Sequence, residues 1–209
     1  MASRGQARAK RAFDVLLAVL LFVLALPIQA ATALAIRIRL GSPVLFRQTR
    51  PGLHGDPFEI VKFRTMLKVD PELEQVDDAS RMTPLGRWLR ATSIDELPTL
   101  WNIIRGDMSL VGPRPLLMQY LERYSPNQAR RHEVRPGLTG LAQVSGRNVL
   151  SWEEKLRLDV DYVDHHTLLG DLKIIRGTIR SVASRDGIAA VGEATMPEFL
   201  GTDNQRERA

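Results

Sequence analysis

The stretch FDVLLAVLLFVLALPIQAATALAI, residues 13–36, decides how this chain is organised. As one helix it would reach roughly 36 Å at ~1.5 Å per residue, more than the ~30 Å of a bilayer's hydrocarbon core. A secretory signal has an apolar core of only ~7–15 residues, whereas this segment continues to Ile36 and runs directly into Arg37 and Arg39. A helix apolar on every side is out of place inside so small a domain. Membrane insertion is therefore expected. Both flanks are basic, with Arg4, Arg8, Lys10 and Arg11 before the segment and Arg37 and Arg39 after it. Basic flanks favour the cytoplasmic side, so both ends belong on that side. Pro27 removes a helix hydrogen bond in mid-segment and bends the chain, and Gln29 and Thr32 lie just beyond it. A re-entrant helix broken at Pro27 satisfies both flanks; a single straight span is the competing reading.

The rest follows from that division. Residues 1–40 are expected to form the re-entrant membrane helix with its basic flanks, 41–195 a compact cytoplasmic domain, and 196–209 a frayed tail. Of the 209 residues, 44% are hydrophobic, enough for a real core. There is no cysteine, which excludes disulfides, thiolate zinc sites and a cysteine nucleophile, and fits a reducing compartment. The formal net charge of +5 makes anionic partners plausible: membrane lipid, nucleotide or nucleic acid.

In the soluble part the fold class is α/β with helix dominant. VLFRQT (44–49) and PFEIVKF (57–63) are predicted strands joined by a turn-rich RPGLHGD, hence a small β-hairpin. PELEQVDDAS (71–80) reads as an acidic mobile loop. Thr83-Pro84 opens a helix with threonine as cap and proline in first position, and that helix carries Arg87, Trp88 and Arg90. GDMSLVGPRP (106–115) cannot be regular helix. Residues 116–124 and 126–132 read as short helices, and RPGLTG (135–140) as a turn. Ser151 with Glu154 is a capping box that opens a helix with Trp152, Leu156, Val160 and Val163 on one face. Leu168, Leu172, Ile175, Ile179 and Val182 form a last amphipathic stripe, expected to face the core.

No P-loop, dinucleotide-binding glycine motif, nucleophile elbow or zinc-protease helix is present. His54, His132, His165 and His166 lack metal-ligand spacing and are read as surface or capping residues. What stands out is TSIDELPTLWN, residues 92–102, with Asp95 and Glu96 side by side. Two structural explanations are available. Ser93 and Glu96 fit a capping box, or Asp95 is the N-cap with Pro98 in the first turn. The chemical explanation draws on the cations elsewhere: Lys62 and Arg64 at the end of the second strand, Arg90, Arg114, and Arg135 and Arg147 around the RPGLTG turn. Pro113-Arg114-Pro115 fixes the backbone around one guanidinium, a positioned fork for phosphate. An ionised Asp among such cations and Mg²⁺ can attack phosphorus.

KFRTM (62–66), SIDELPTLWNIIRGDMSLVGPRPLL (93–117), RPGLTGLAQVSGRN (135–148) and LDVDYV (158–163) together resemble the bacterial sugar transferase family, the monotopic phosphoglycosyl transferases, and by length its small PglC-type members. The resemblance covers nearly the whole chain. It implies transfer of a sugar-1-phosphate from a UDP-sugar to polyprenyl (undecaprenyl) phosphate at the cytoplasmic face of the bacterial inner membrane, releasing UMP. It implies Asp95 as the nucleophile, carrying a covalent phospho-sugar, and Glu96 with Asp95 as the holders of Mg²⁺. Lys62, Arg64, Arg90, Arg114, Arg135, Thr139 and Arg147 become candidate phosphate or substrate contacts. A re-entrant helix is also implied; the family often breaks it at Ser-Pro, and here the pair is Leu26-Pro27. The sugar favoured by the resemblance is a diacetylbacillosamine-like N-acetylated hexose, and downstream glycosyltransferases are expected partners. The rival readings are a membrane-tethered basic binding module and a scaffold subunit of the envelope. Both leave Pro-Arg-Pro and the acid pair unexplained, and the aromatics form no stacking array for nucleic acid.

Overall fold

The computed structural model describes residues 4–69, 78–146, 150–184 and 198–201. Helices α1 (Arg4–Leu24) and α2 (Leu26–Arg39) meet at Ala25 with a bend of 59°. The break precedes Pro27 instead of falling on it. Proline is tolerated in a first helical turn, where its missing N–H costs nothing, so Pro27 starts α2 and the chain bends before it. Among the described residues no single helix is long and apolar enough to cross a membrane, but the bent pair together is. Leu16, Leu24, Leu34 and Ile38 on this pair are each more than 60% exposed, a continuous apolar surface of the kind that marks a partner face.

The hairpin forms as expected, from β1 (Leu45–Pro51) and β2 (Pro57–Phe63), antiparallel with Leu45 opposite Phe63 and Phe46 opposite Lys62. A short α3 (Asp78–Arg81) occupies the end of the expected acidic loop, whose residues 71–77 lie outside the described ones. Thr83 caps α4 (Pro84–Ala91) by accepting from the Gly86 N–H. A 3₁₀ segment, Ile94–Thr99, leads into α5 (Leu100–Arg105). The RPGLTG segment is not a simple turn. Its Gly137–Thr139 forms β4, parallel to β3 (Ser109–Val111). A Cβ on Gly137 would sit 2.1 Å from the Gly112 nitrogen, so only glycine permits this approach. Short 3₁₀ turns flank α6 (Pro126–Ala129), and α7 (Leu141–Ser145) follows β4. Ser151 caps α8 (Trp152–His165), and α9 (Leu168–Ser184) closes the domain.

The main core gathers Phe58, Ile60, Leu100, Ile103, Met108 and Tyr162 with Ala18 of α1. A second cluster, Ile36, Phe63 and Leu89, joins α2 to β2 and α4. Polar contacts fix α1 to the domain as well. Buried Asp14 accepts from Ser109 Oγ at 2.7 Å, and Lys10 pairs with buried Asp171 at 2.7 Å. Asp171 also sets the rotation of α9. Held by Lys10 and by the Tyr162 hydroxyl at 2.8 Å, it turns Ile174 inward and leaves Leu168, Leu172 and Ile179 of the expected core stripe exposed. Residues 198–201 are not frayed: Phe199 is buried against Tyr120, Tyr124 and Trp152.

Asn102, fully buried on α5, welds β2 to the acid-pair segment. It accepts from Val61 N–H at 3.0 Å and donates to the Glu59 carbonyl at 2.7 Å, while Thr99 Oγ1 donates to the Val61 carbonyl at 2.8 Å. Asn102→Ala takes the partner from the buried Val61 N–H and from the part-buried Glu59 carbonyl. At roughly 1–3 kcal/mol per orphaned group, thermal or denaturant unfolding is expected to show a loss of about 2–4 kcal/mol.

Candidate active site

Neither structural explanation of the acid pair holds. Ser93 sits in the left-handed region (φ 56) and its side chain caps nothing. Asp95 and Glu96 lie inside the 3₁₀ turn, not before it. Glu96, which would complete a capping box, reaches instead for two cations. Its Oε1 accepts from Lys62 Nζ at 2.5 Å and from Arg114 Nη2 at 3.0 Å. Lys62 comes from β2 and Arg114 from the Pro-Arg-Pro turn, so one carboxylate ties three segments together.

The two acids are driven apart electrostatically. Burial pushes Asp95 up to about 6, and the neighbouring Glu96 adds to the rise; Lys62, Arg90 and Arg114 oppose it. Burial acts on Glu96 in the same sense, but Lys62 and Arg114 together outweigh it and hold Glu96 at about 2. Lys62 is itself lowered by burial, with Glu96 resisting the fall. Glu96 is thus a fixed anion, while the carboxylate of Asp95 makes no hydrogen bond among the described residues. Divergent carboxylates in one site are a signature of assigned chemical roles.

The other predicted residues divide into two groups. Arg90 belongs to the site: its Nε donates to Thr65 Oγ1 at 3.1 Å and its charge acts on Asp95. Arg64 is turned away, donating to the carbonyls of Leu40, Gly41 and Ser42 at the end of α2. Arg135 donates to the Gly106 carbonyl at 2.8 Å, at the end of α5. Thr139 meets Thr178 at 2.6 Å. Arg147 lies outside the described residues.

Sequence reading missed the support behind Arg114. Its carbonyl accepts from Arg131 Nη2 at 2.7 Å, and Arg131 grips Asp159 of α8 through Nε at 3.0 Å and Nη2 at 2.7 Å. Arg131 and Asp159 are 2% and 5% exposed. Asp159 belongs to the LDVDYV motif; Arg131 carries no local signal.

His132 is also buried, correcting its reading as a surface or capping residue. Its Nδ1 lies 3.3 Å from the Gly52 carbonyl, Nε2 has no hydrogen-bond partner among the described residues, and burial, then the Arg131 charge, lower it to about 4. Above pH ~6.5 the ring is neutral folded or unfolded. Between ~6.5 and about 4 only the unfolded chain gains the proton, so stability is lost as pH falls through that window, by up to about 3 kcal/mol. Because raised Asp95 contributes in the opposite sense over the same window, the loss should appear as a falling difference in unfolding free energy between wild type and His132→Asn from pH 7 to pH 4.

Among the described residues no group of three or more potential ligands surrounds a metal position. Mg²⁺ does not need one, because it is commonly held by one or two carboxylates together with substrate phosphates and water. The unbonded Asp95 carboxylate and the free Oε2 of Glu96 fit such a shared ion.

The site therefore offers an unpartnered carboxylate, a fixed anion beside it and three cations, on a domain fused to a bent apolar helix pair. Comparison with known proteins gives the family. The family model described as bacterial sugar transferase matches residues 5–185. The chain is 50% identical over 194 residues to EpsL of Bacillus subtilis (strain 168), named as an uncharacterized sugar transferase, covering 92% of this chain and 96% of that one. It is 46% identical over 188 residues to the UDP-glucose:undecaprenyl-phosphate glucose-1-phosphate transferase of Caulobacter vibrioides, covering 85% of this chain and 70% of that one. It is 37% identical over 205 residues to the undecaprenyl-phosphate galactose phosphotransferase of Salmonella typhimurium, covering 90% of this chain and 43% of that one. On these matches the chain belongs to the bacterial sugar transferase family and is an enzyme of the phosphoglycosyl transferase type.

Proposed function

We propose that this enzyme moves a sugar-1-phosphate from a UDP-sugar to undecaprenyl phosphate in two displacements through Asp95. The observation that carries this reading is the contrast within the acid pair: Glu96 is locked by Lys62 and Arg114, while Asp95 beside it is unbonded and made more basic by burial. In the first step a carboxylate oxygen of Asp95 bonds to the sugar-bearing phosphorus, the bridging P–O bond breaks, and UMP leaves with that oxygen. In the second, an oxygen of the acceptor phosphate attacks the same phosphorus and frees Asp95. Every participant is anionic, so Arg90, Arg114 and Lys62 are needed to neutralise the approach. Mg²⁺ held by Glu96 and Asp95 supplies further charge neutralisation on the phosphates.

The bent helix pair, with basic residues at both ends, is read as re-entrant from the cytoplasmic face. It sets the site at the membrane surface, where a soluble nucleotide and a lipid-borne phosphate meet, and the product passes to downstream glycosyltransferases. The names of the Caulobacter and Salmonella relatives carry glucose and galactose, so UDP-glucose and UDP-galactose head the donor panel. Purified enzyme in lipid vesicles with Mg²⁺ should release UMP over many turnovers from one panel member when undecaprenyl phosphate is present, and no more than one UMP per enzyme from donor alone. Release from none, across N-acetylated donors as well, would contradict the reading. In the same assay Glu96→Gln should raise the Mg²⁺ requirement by about 10–100-fold.

A further inference from the structure

An open groove of about 630 Å³ lies where the chain leaves α2, lined by Pro43, Val44, Leu45 and Phe46 with Arg47 and Arg64 at its sides. That volume is within the ~300–1,000 Å³ of small-molecule sites. Its two cations are already engaged, Arg64 with the carbonyls ending α2 and Arg47 with Glu59 at 2.7 Å. The groove therefore offers apolar contact and holds no spare charge for a phosphate.

Its two ends are informative. At one end Val44 and Leu45 pack with Ile36 and Leu40 of the α2 segment. At the other end stands Phe46, 44% exposed and outside every core cluster. Phe46 pairs across the hairpin with Lys62, and directly paired residues project from the same face of a sheet. Lys62 in turn holds Glu96 at 2.5 Å. An apolar chain lying in the groove can thus reach Phe46 and present a terminal phosphate to the cations around the acid pair.

We propose that this groove seats the isoprene units nearest the phosphate of the polyprenyl phosphate acceptor. The inference rests on the function proposed above and assigns its second displacement a binding track; the donor uses none of it. Phe46→Ser, a change at an exposed position, removes the aromatic surface from the track without setting a carboxylate opposite Lys62. It is expected to raise KM for undecaprenyl phosphate by about tenfold or more and leave KM for the UDP-sugar within about twofold. Phe46→Leu should restore the acceptor KM. The phospho-sugar adduct formed from donor alone should appear in Phe46→Ser at the wild-type rate. An unchanged acceptor KM, a parallel loss of adduct formation, or release of the variant from vesicles would overturn the inference.

A second measurement needs no variant. Undecaprenyl phosphate with a photoreactive group on its phosphate-proximal isoprene should label residues 42–47 of the wild-type enzyme. Excess undecaprenyl phosphate should block that labelling and phosphatidylglycerol should not. Labelling elsewhere, or equal competition by phosphatidylglycerol, would show a general lipid contact and overturn the assignment. Normal UMP release with neutral groove variants sinks the track alone. Absence of UMP release from wild-type enzyme sinks the functional reading, and the photolabel still tests the groove.

Discussion

Asp95→Asn is expected to abolish sugar-phosphate transfer, by roughly 10⁴-fold or more, because an amide cannot supply the attacking oxygen anion. The same change should not weaken the fold. Asp95 rises from 3.8 to about 6 mainly through burial. A carboxylate whose folded value is raised gives full stability below its unfolded value and loses it as pH rises through the folded one. At neutral pH the ionised side chain therefore costs about 3 kcal/mol, and neutral asparagine removes that cost. Thermal melts in chelator should show the variant equal to or above wild type, by a few degrees. Loss of turnover together with a raised melting temperature is the expected pair of results. Retained turnover would return the acid pair to a structural role.

Arg131→Met is expected to destabilise the protein by about 3–5 kcal/mol, the usual cost of stranding one member of a buried ion pair. The stranded group is Asp159, 5% exposed and held by Arg131 at 2.7 Å. The activity loss should exceed what unfolding explains, because Arg131 also grips the carbonyl of Arg114 at 2.7 Å and so aims its guanidinium at Glu96. Replacing both partners, Arg131→Met with Asp159→Leu, removes the stranded charge. It should recover much of the stability and little of the activity. Unfolding curves and transfer rates on the three variants separate the two effects. Recovery of both together would mean that the pair serves stability alone.

Much of this architecture is legible in the residues because it depends on local rules. The hairpin follows from alternating strands around a turn-rich linker, the α4 start from Thr83-Pro84, and the α8 start from Ser151. The acid pair and Arg114 are legible because two prolines and two adjacent carboxylates are unusual together. Where local rules compete with distant contacts, the reading fails. Ser93–Glu96 matches a capping box, yet Glu96 gains more from Lys62 and Arg114, which lie 34 and 18 positions away. The α9 stripe follows helical periodicity, yet buried Asp171 rotates the helix through Lys10, at the far end of the chain. Arg64 and Arg135 have the composition of phosphate ligands, but helix-end carbonyls take them first. Residues that act through others, such as Arg131 and Asn102, carry no spacing signal, because their partners are brought to them only by the fold.

The most direct test of the account is the mass of the enzyme after exposure to donor alone. Purified protein is incubated with Mg²⁺ and the UDP-sugar from which it releases UMP in the complete reaction, without polyprenyl phosphate. Intact mass and the peptide spanning residues 92–105 are then measured. The account predicts a gain of one sugar phosphate, located on Asp95 and discharged when undecaprenyl phosphate is added. An unmodified peptide from an enzyme that turns over that donor in the presence of acceptor would contradict it, and would mean that acceptor attacks donor directly, with Asp95 serving only to hold or orient them.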